Sequence, residues 1–140
     1  MIHKSPLPKD IELRLRTLGQ ALERCSGVIF AYVFGGAAAG RPRPLSDVDV
    51  AVYLEETLDP AERRLEILGA VTRHLGTDEV DLVVLNTAPV SVTGRILRTR
   101  RVICDRDPFR RHRFESVALR EFFDFRLFEH RLLARRYGHG

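Results

Sequence analysis

Apolar positions along this chain follow two periods. Ile11, Leu15, Leu18 and Leu22 recur at intervals of three and four, between Pro8-Lys9-Asp10 and Gly27, and this spacing predicts an amphipathic first helix. Val28 to Phe34 is an unbroken apolar run, rich in β-branched and aromatic residues and bounded by glycines, which predicts a buried strand. Ser46 to Leu54 predicts a second strand, with Val48, Val50 and Val52 on one face. Asp59 as cap and Pro60 at the first position open a helix whose buried face is expected to hold Leu65, Leu68, Val71 and Leu75, and Gly76 closes it. Glu79 to Leu85 reads as a third strand, Thr87-Ala88-Pro89 starts a helix through Leu97, and Arg101 to Cys104 reads as a short edge strand. Asp107-Pro108 opens a last, long helix reaching about Tyr137. Between Gly35 and Ser46 there is no period; a helical turn near Ala37–Ala39 and a loop through Arg41–Pro44 are expected. The fold class expected is therefore α/β in the α+β sense. One domain over residues 1–140 would hold a small mixed sheet, about residues 28–104, flanked by helices, with a long C-terminal helix over about 108–137.

Composition narrows the class. At 140 residues, 44% apolar and 30% charged, the chain is long enough to bury a core and has the balance of a globular protein. No run approaches the eighteen or so apolar residues of a membrane span, and the first residues lack the apolar stretch of a signal peptide, so a cytoplasmic location is expected. Cys25 and Cys104 are too few and too far apart for a disulfide framework and are expected as reduced packing residues. The five histidines show no ligand spacing. Charge is uneven: residues 1–93 carry 10 Lys and Arg against 13 Asp and Glu, whereas residues 94–140 carry 13 Arg against 6 acids. The basic C-terminal third suits an acidic partner or nucleic acid, or is a solvated helix face; without a helix-turn-helix, DNA binding is not expected.

The chemistry concentrates in one stretch. Gly35-Gly36 ends the first strand, and Asp47-Val48-Asp49 opens the second after the ten residues 37–46. Strand alternation sends Asp47 and Asp49 to the same face, roughly 6–7 Å apart along the backbone, away from the buried valines. Two such carboxylates repel and call for a compensating cation, best a hard divalent ion such as Mg2+. Asp81 lies opposite Val80, Leu82 and Val84 on the third strand, so it joins the pair if that strand neighbours the second. Three converging carboxylates suit two Mg2+ ions that clamp a phosphoryl displacement, and the glycine pair offers backbone N–H groups to phosphates. Arg41 and Arg43 lie in the loop beside these carboxylates; they read equally as phosphate contacts or solvated loop charges and are left out of the site.

These residues resemble the nucleotidyltransferase superfamily of the DNA polymerase β type, whose pattern is Gly-Ser, about ten residues, Asp-x-Asp, and a third Asp on a later strand. The length is similar to that of the minimal nucleotidyltransferases. Within them, Leu45–Leu54 (LSDVDVAVYL), Val80–Pro89 (VDLVVLNTAP) and an Arg-rich last helix containing FFDF at 122–125 resemble the MntA-type antitoxins, over roughly residues 10–137. The resemblance implies an antitoxin that pairs with a HEPN-domain ribonuclease toxin and transfers AMP from ATP to a tyrosine of that toxin. Asp47, Asp49 and Asp81 would be catalytic and metal-binding residues, and Gly35 and Gly36 would bind nucleotide. The chain departs from the pattern at Gly36, where the family has serine. That predicts slower transfer or, as an alternative, a catalytically inert antitoxin that neutralises its toxin by occlusion. A small-molecule acceptor such as an aminoglycoside is disfavoured, because those enzymes carry a further substrate domain. Phe114, Leu119, Phe122, Phe123, Phe125 and Phe128 make the last helix apolar on more than one side, so part of it is expected to face a partner.

Overall fold

The computed structural model describes residues 7–38 and 47–137; the expected loop residues Arg41 and Arg43 lie outside them. In order, the chain forms α1 (Ile11–Glu23), β1 (Val28–Phe34), α2 (Gly35–Ala38), β2 (Val48–Leu54), α3 (Pro60–Leu75), β3 (Val80–Val84), α4 (Val90–Thr99), β4 (Arg101–Asp105) and α5 (Pro108–Tyr137). The strands make one mixed sheet in the order β3-β2-β1-β4. β1 runs antiparallel to both β2 and β4, while β2 and β3 run parallel. The β2–β3 link is α3, the helical crossover that parallel neighbours require.

Helices cover both faces. On one, Val48, Val50, Val52, Leu82 and Val84 pack with Leu15, Leu18 and Leu22 of α1 and Ile67, Val71 and Leu75 of α3. On the other, Phe30, Tyr32 and Ala51 pack with Ile96 and Leu97 of α4 and Ala118 of α5. The expected strand alternation is observed. The expected caps are present too: the Asp59 carboxylate accepts from the Ala61 N–H, Pro60 opens α3, and Gly76 ends it in a left-handed conformation.

Two expectations are corrected. Leu65 is 69% exposed, and Ile67 takes its place in the core. At 100° per residue Leu65 stands well off the Val71–Leu75 line, whereas Ile67 lies within a turn of it on the buried side. The glycine pair also belongs to α2, which starts at Gly35, two residues before the expected turn. Gly35 has φ +70°, so the chain reverses into this short helix directly at the end of β1.

α5 divides into two halves. Phe114, Ala118 and Leu119 dock on the second core, and the Phe122 ring lies on Gly94 so closely that a Cβ there would fall 2.0 Å from it. From Phe123 to Arg136 every residue is exposed, as the surplus of aromatic positions predicted. Among the described residues no helix is long and apolar enough to cross a membrane.

Candidate active site

Strand register brings Asp49 and Asp81 to one end of the sheet, beside the glycine corner. Antiparallel pairing sets Phe34, the last residue of β1, opposite Asp49. Parallel pairing sets Asp49 opposite Asp81, and the Val48 N–H donates to the Glu79 carbonyl at 2.9 Å. Registered residues on neighbouring strands share a face about 5 Å apart at Cα, so Asp49 and Asp81 are side by side on the face opposite the valines. Asp47 lies just before β2, two residues from Asp49. Asp47 and Asp49 are half-buried, and Asp81 is exposed at the edge strand.

Gly35 adjoins this group directly. A Cβ on it would stand 2.7 Å from Asp49 Oδ2, so only glycine leaves room for that carboxylate under the corner. The left-handed φ of Gly35 imposes the same choice on conformational grounds. Its N–H donates to Thr99 Oγ1 at 2.9 Å, at the end of α4. The corner's backbone donors are therefore not all open to a ligand: Gly35 is tied to Thr99, and Gly36 is the exposed member of the pair. Among the described residues, no three Asp, Glu, His or Cys side chains converge closely enough to hold a metal ion. What the site offers a hard cation is oxygen chemistry: registered carboxylates of Asp49 and Asp81, with Asp47 two residues before Asp49, and a side-chain-free turn over Asp49.

A second polar assembly, behind the corner, escaped the sequence reading. Tyr32, in the middle of β1, donates from its hydroxyl to Glu115 Oε2 at 2.7 Å. Arg100 Nε reaches the same oxygen at 2.8 Å, and Arg111 bridges Glu115 and Asp105. Burial pushes the Glu115 carboxyl up, but the hydrogen bond from Tyr32 and the charges of Arg100 and Arg111 outweigh it and hold it below the ordinary value. Burial, followed by the Glu115 contact, drives the Tyr32 phenol strongly upward, so it stays protonated as donor. Arg100 follows Thr99 directly, so this network anchors the segment that holds Gly35. Burial likewise raises both thiols, Cys104 to about 11, in keeping with cysteines that serve as packing.

A groove of about 510 Å³ lies at the opposite end of the sheet, lined by Tyr53, Glu55, Asn86, Phe114, Val117 and Glu121 among others. It is separated from the carboxylates by the length of β2.

Solved structures share this architecture. A tri-AMPylated HEPN toxin of Shewanella oneidensis in complex with an MNT antitoxin matches at 20% identity and TM-score 0.59, over 90% of this chain and 92% of that one. A toxin–antitoxin structure with AMP-PNP matches at 20% identity and TM-score 0.60, over 88% of this chain and 91% of that one. A further S. oneidensis structure matches at 20% identity and TM-score 0.63, over 91% and 96%. At these identities the likeness establishes the nucleotidyltransferase fold. No curated protein matches significantly. The family model described as "Polymerase beta, Nucleotidyltransferase" matches residues 16–109, from α1 to the start of α5 and across the whole site. The chain belongs to the polymerase β nucleotidyltransferase family.

Proposed function

We propose that this chain is the antitoxin of a toxin–antitoxin pair and transfers AMP from ATP to a tyrosine of a cognate HEPN ribonuclease toxin in the cytoplasm. One observation carries the reading: the parallel register that seats Asp49 beside Asp81 under the Gly35 corner, in a chain of this family. The fold neighbours support the finer part, since one is a complex with a tri-AMPylated HEPN toxin and another holds AMP-PNP.

Asp47, Asp49 and Asp81 would hold Mg2+. Bound there, the ion would offset triphosphate charge and lower the pKa of the attacking hydroxyl. The chain's own residues have three tasks. Asp49 and Asp81 present oxygens from adjacent strands, so their spacing is fixed by the sheet rather than by a loop. Gly35 leaves space for the Asp49 carboxylate and turns the chain into α2. Gly36 presents backbone without a side chain to the phosphates.

The test is the mass of the partner. Toxin separated from a complex formed with Mg2+ and ATP is expected to gain one or more AMP units and lose ribonuclease activity. Asp47→Asn/Asp49→Asn should leave the mass unchanged while the antitoxin stays folded. Label transfer by that folded double variant would end the enzymatic reading.

A second reading has its own observations: Gly36 lacks the family's serine hydroxyl, and the Gly35 N–H is taken by Thr99. An inert antitoxin that occludes the toxin would leave its mass intact while blocking cleavage. For the enzymatic reading, Gly36→Ser should accelerate transfer by roughly tenfold, the worth of one polar contact. An unchanged rate would make the missing hydroxyl irrelevant here.

A further inference from the structure

The outer half of α5 leaves Phe123, Leu127, Phe128, Leu132 and Leu133 exposed. The helix is 30 residues long, about 45 Å at 1.5 Å per residue, and its own domain covers only the first half. Beyond Phe122 the apolar stripe continues along the same line through Phe125, Phe128 and Leu132. Phe128 is 63% and Leu132 48% exposed. In heptad terms, Ala118, Phe125 and Leu132 occupy one seam position, and Glu121, Phe128 and Arg135 the other. Isolated helical segments of this length are marginal in water, so a stripe of this kind is stabilised by packing against another element.

The order of charges selects the occupant. Along one rim of the stripe the acid comes first, Asp124, and the arginine follows one heptad later, Arg131. A sequence whose charge reverses along its length is complementary to itself when turned around, as a two-fold interface requires. In an antiparallel pairing with seam positions in layers, Phe125 of each helix meets Phe128 of the other. Asp124 of each then faces Arg131 of the other, so this ion pair forms twice. A parallel pairing would instead place Arg135 on Arg135 and Glu121 on Glu121.

The second observation lies at the far end of this register. Antiparallel pairing carries Leu132 of one copy alongside Glu121 of the other, and Arg135 alongside Ala118. Glu121 and Ala118 line the 510 Å³ groove, whose wall is apolar (Phe114, Val117, Tyr53) and whose rim holds Glu55 and Glu56. Arg110 pairs with Glu55 at 3.0 Å, and the two glutamates with Glu121 keep the rim net acidic. An apolar leucine followed by an arginine fits that groove in shape class and in sign.

We propose that two copies of this chain pair through antiparallel α5 helices, with the Leu132–Arg135 tip of each seated in the groove beside Glu121 of the other. This surface is independent of the carboxylate site, and its test needs no ATP.

Sedimentation velocity of the whole chain at micromolar concentration is expected to show a dimer. Phe128→Glu should make it a monomer with an unchanged far-UV spectrum, since Phe128 belongs to no core. Asp124→Arg and Arg131→Asp should each weaken the dimer at least tenfold, and the double exchange should restore it, which a merely hydrophobic contact would not do. A monomeric wild type overturns the proposal. So does a dimer that survives Phe128→Glu, or a double exchange without rescue. A monomer whose capture of a HEPN partner is lost in Phe128→Glu also overturns it and gives the stripe to that partner.

Discussion

The two faces of the sheet are built from the same strands and do different work. Toward α1 and α3, every strand position from β2 and β3 is a valine or leucine, and the helices answer with leucine, isoleucine and valine. Toward α4 and α5, the same strands present Asp49, Asp81 and Tyr53, and β1 presents Tyr32 to a buried glutamate. Strand alternation makes this division possible: a one-residue step moves a side chain from one face to the other. An apolar face can be rebuilt from many combinations, whereas the polar face depends on particular partners at particular registers. Substitutions on the first face should therefore change stability and spare activity, and those at the site on the second should do the reverse.

Asp49→Asn tests that division most severely. It removes a half-buried carboxylate that only glycine at position 35 accommodates. AMP transfer to the partner should fall about a thousandfold, roughly 4 kcal/mol of barrier, while the thermal midpoint stays where it was or rises. A variant that unfolds instead would show that the carboxylate is structural and that the two faces are not separable. Leu22→Ala is the mirror experiment. Leu22 is fully buried in the apolar face, and its truncation should cost about 3 kcal/mol in denaturant unfolding. Transfer per folded molecule should be unchanged.

Glu115→Gln probes the exception, a charge buried on the second face away from the proposed catalytic carboxylates. The glutamine keeps an acceptor for Tyr32 but leaves Arg100 without its carboxylate and Arg111 with Asp105 alone, and about 2 kcal/mol should be lost at neutral pH. The sign with pH follows from the lowered folded value of Glu115. Its contribution is complete above the unfolded glutamate value of about 4.3 and disappears as pH falls through the lower folded value. Wild type and variant should therefore converge in stability only in strongly acidic buffer. A constant gap across that range would mean that the charge contributes nothing.

The first face was almost fully legible in the sequence, because period-two valines and period-3.6 leucines each indicate a buried side without knowledge of the partner. Leu65 is the exception, because Leu65 and Ile67 both continue an apolar repeat and the side that α3 presents is decided by the strands beneath it. On the second face placement was legible where it is local, as at Asp49 from strand alternation, and at Asp81 once β3 is known to neighbour β2. Glu115 was not legible: a glutamate in an Arg-rich helix looks solvated, and only the docking of α5 over Tyr32 buries it. Thr99 was equally hidden, since nothing in Arg98-Thr99-Arg100 marks it, and its partner is 64 residues away.

Thr99 gives the smallest and most discriminating effect. Its hydroxyl accepts the Gly35 N–H, and Gly35 holds a left-handed conformation against the Asp49 carboxylate. Thr99→Val keeps the shape and removes the acceptor, at a worth of about 1 kcal/mol for an exposed neutral hydrogen bond. Global stability should barely move, because the bond lies at the surface and ties no core residue. The Gly35 amide should exchange with solvent several-fold faster, and the KM for nucleotide should rise about fivefold with little change in kcat. Thr99→Ser, which restores the hydroxyl, should reverse both effects. Should kcat fall while KM and the Gly35 exchange rate stay constant, Thr99 would act on the reaction itself and not on the corner proposed to receive the nucleotide.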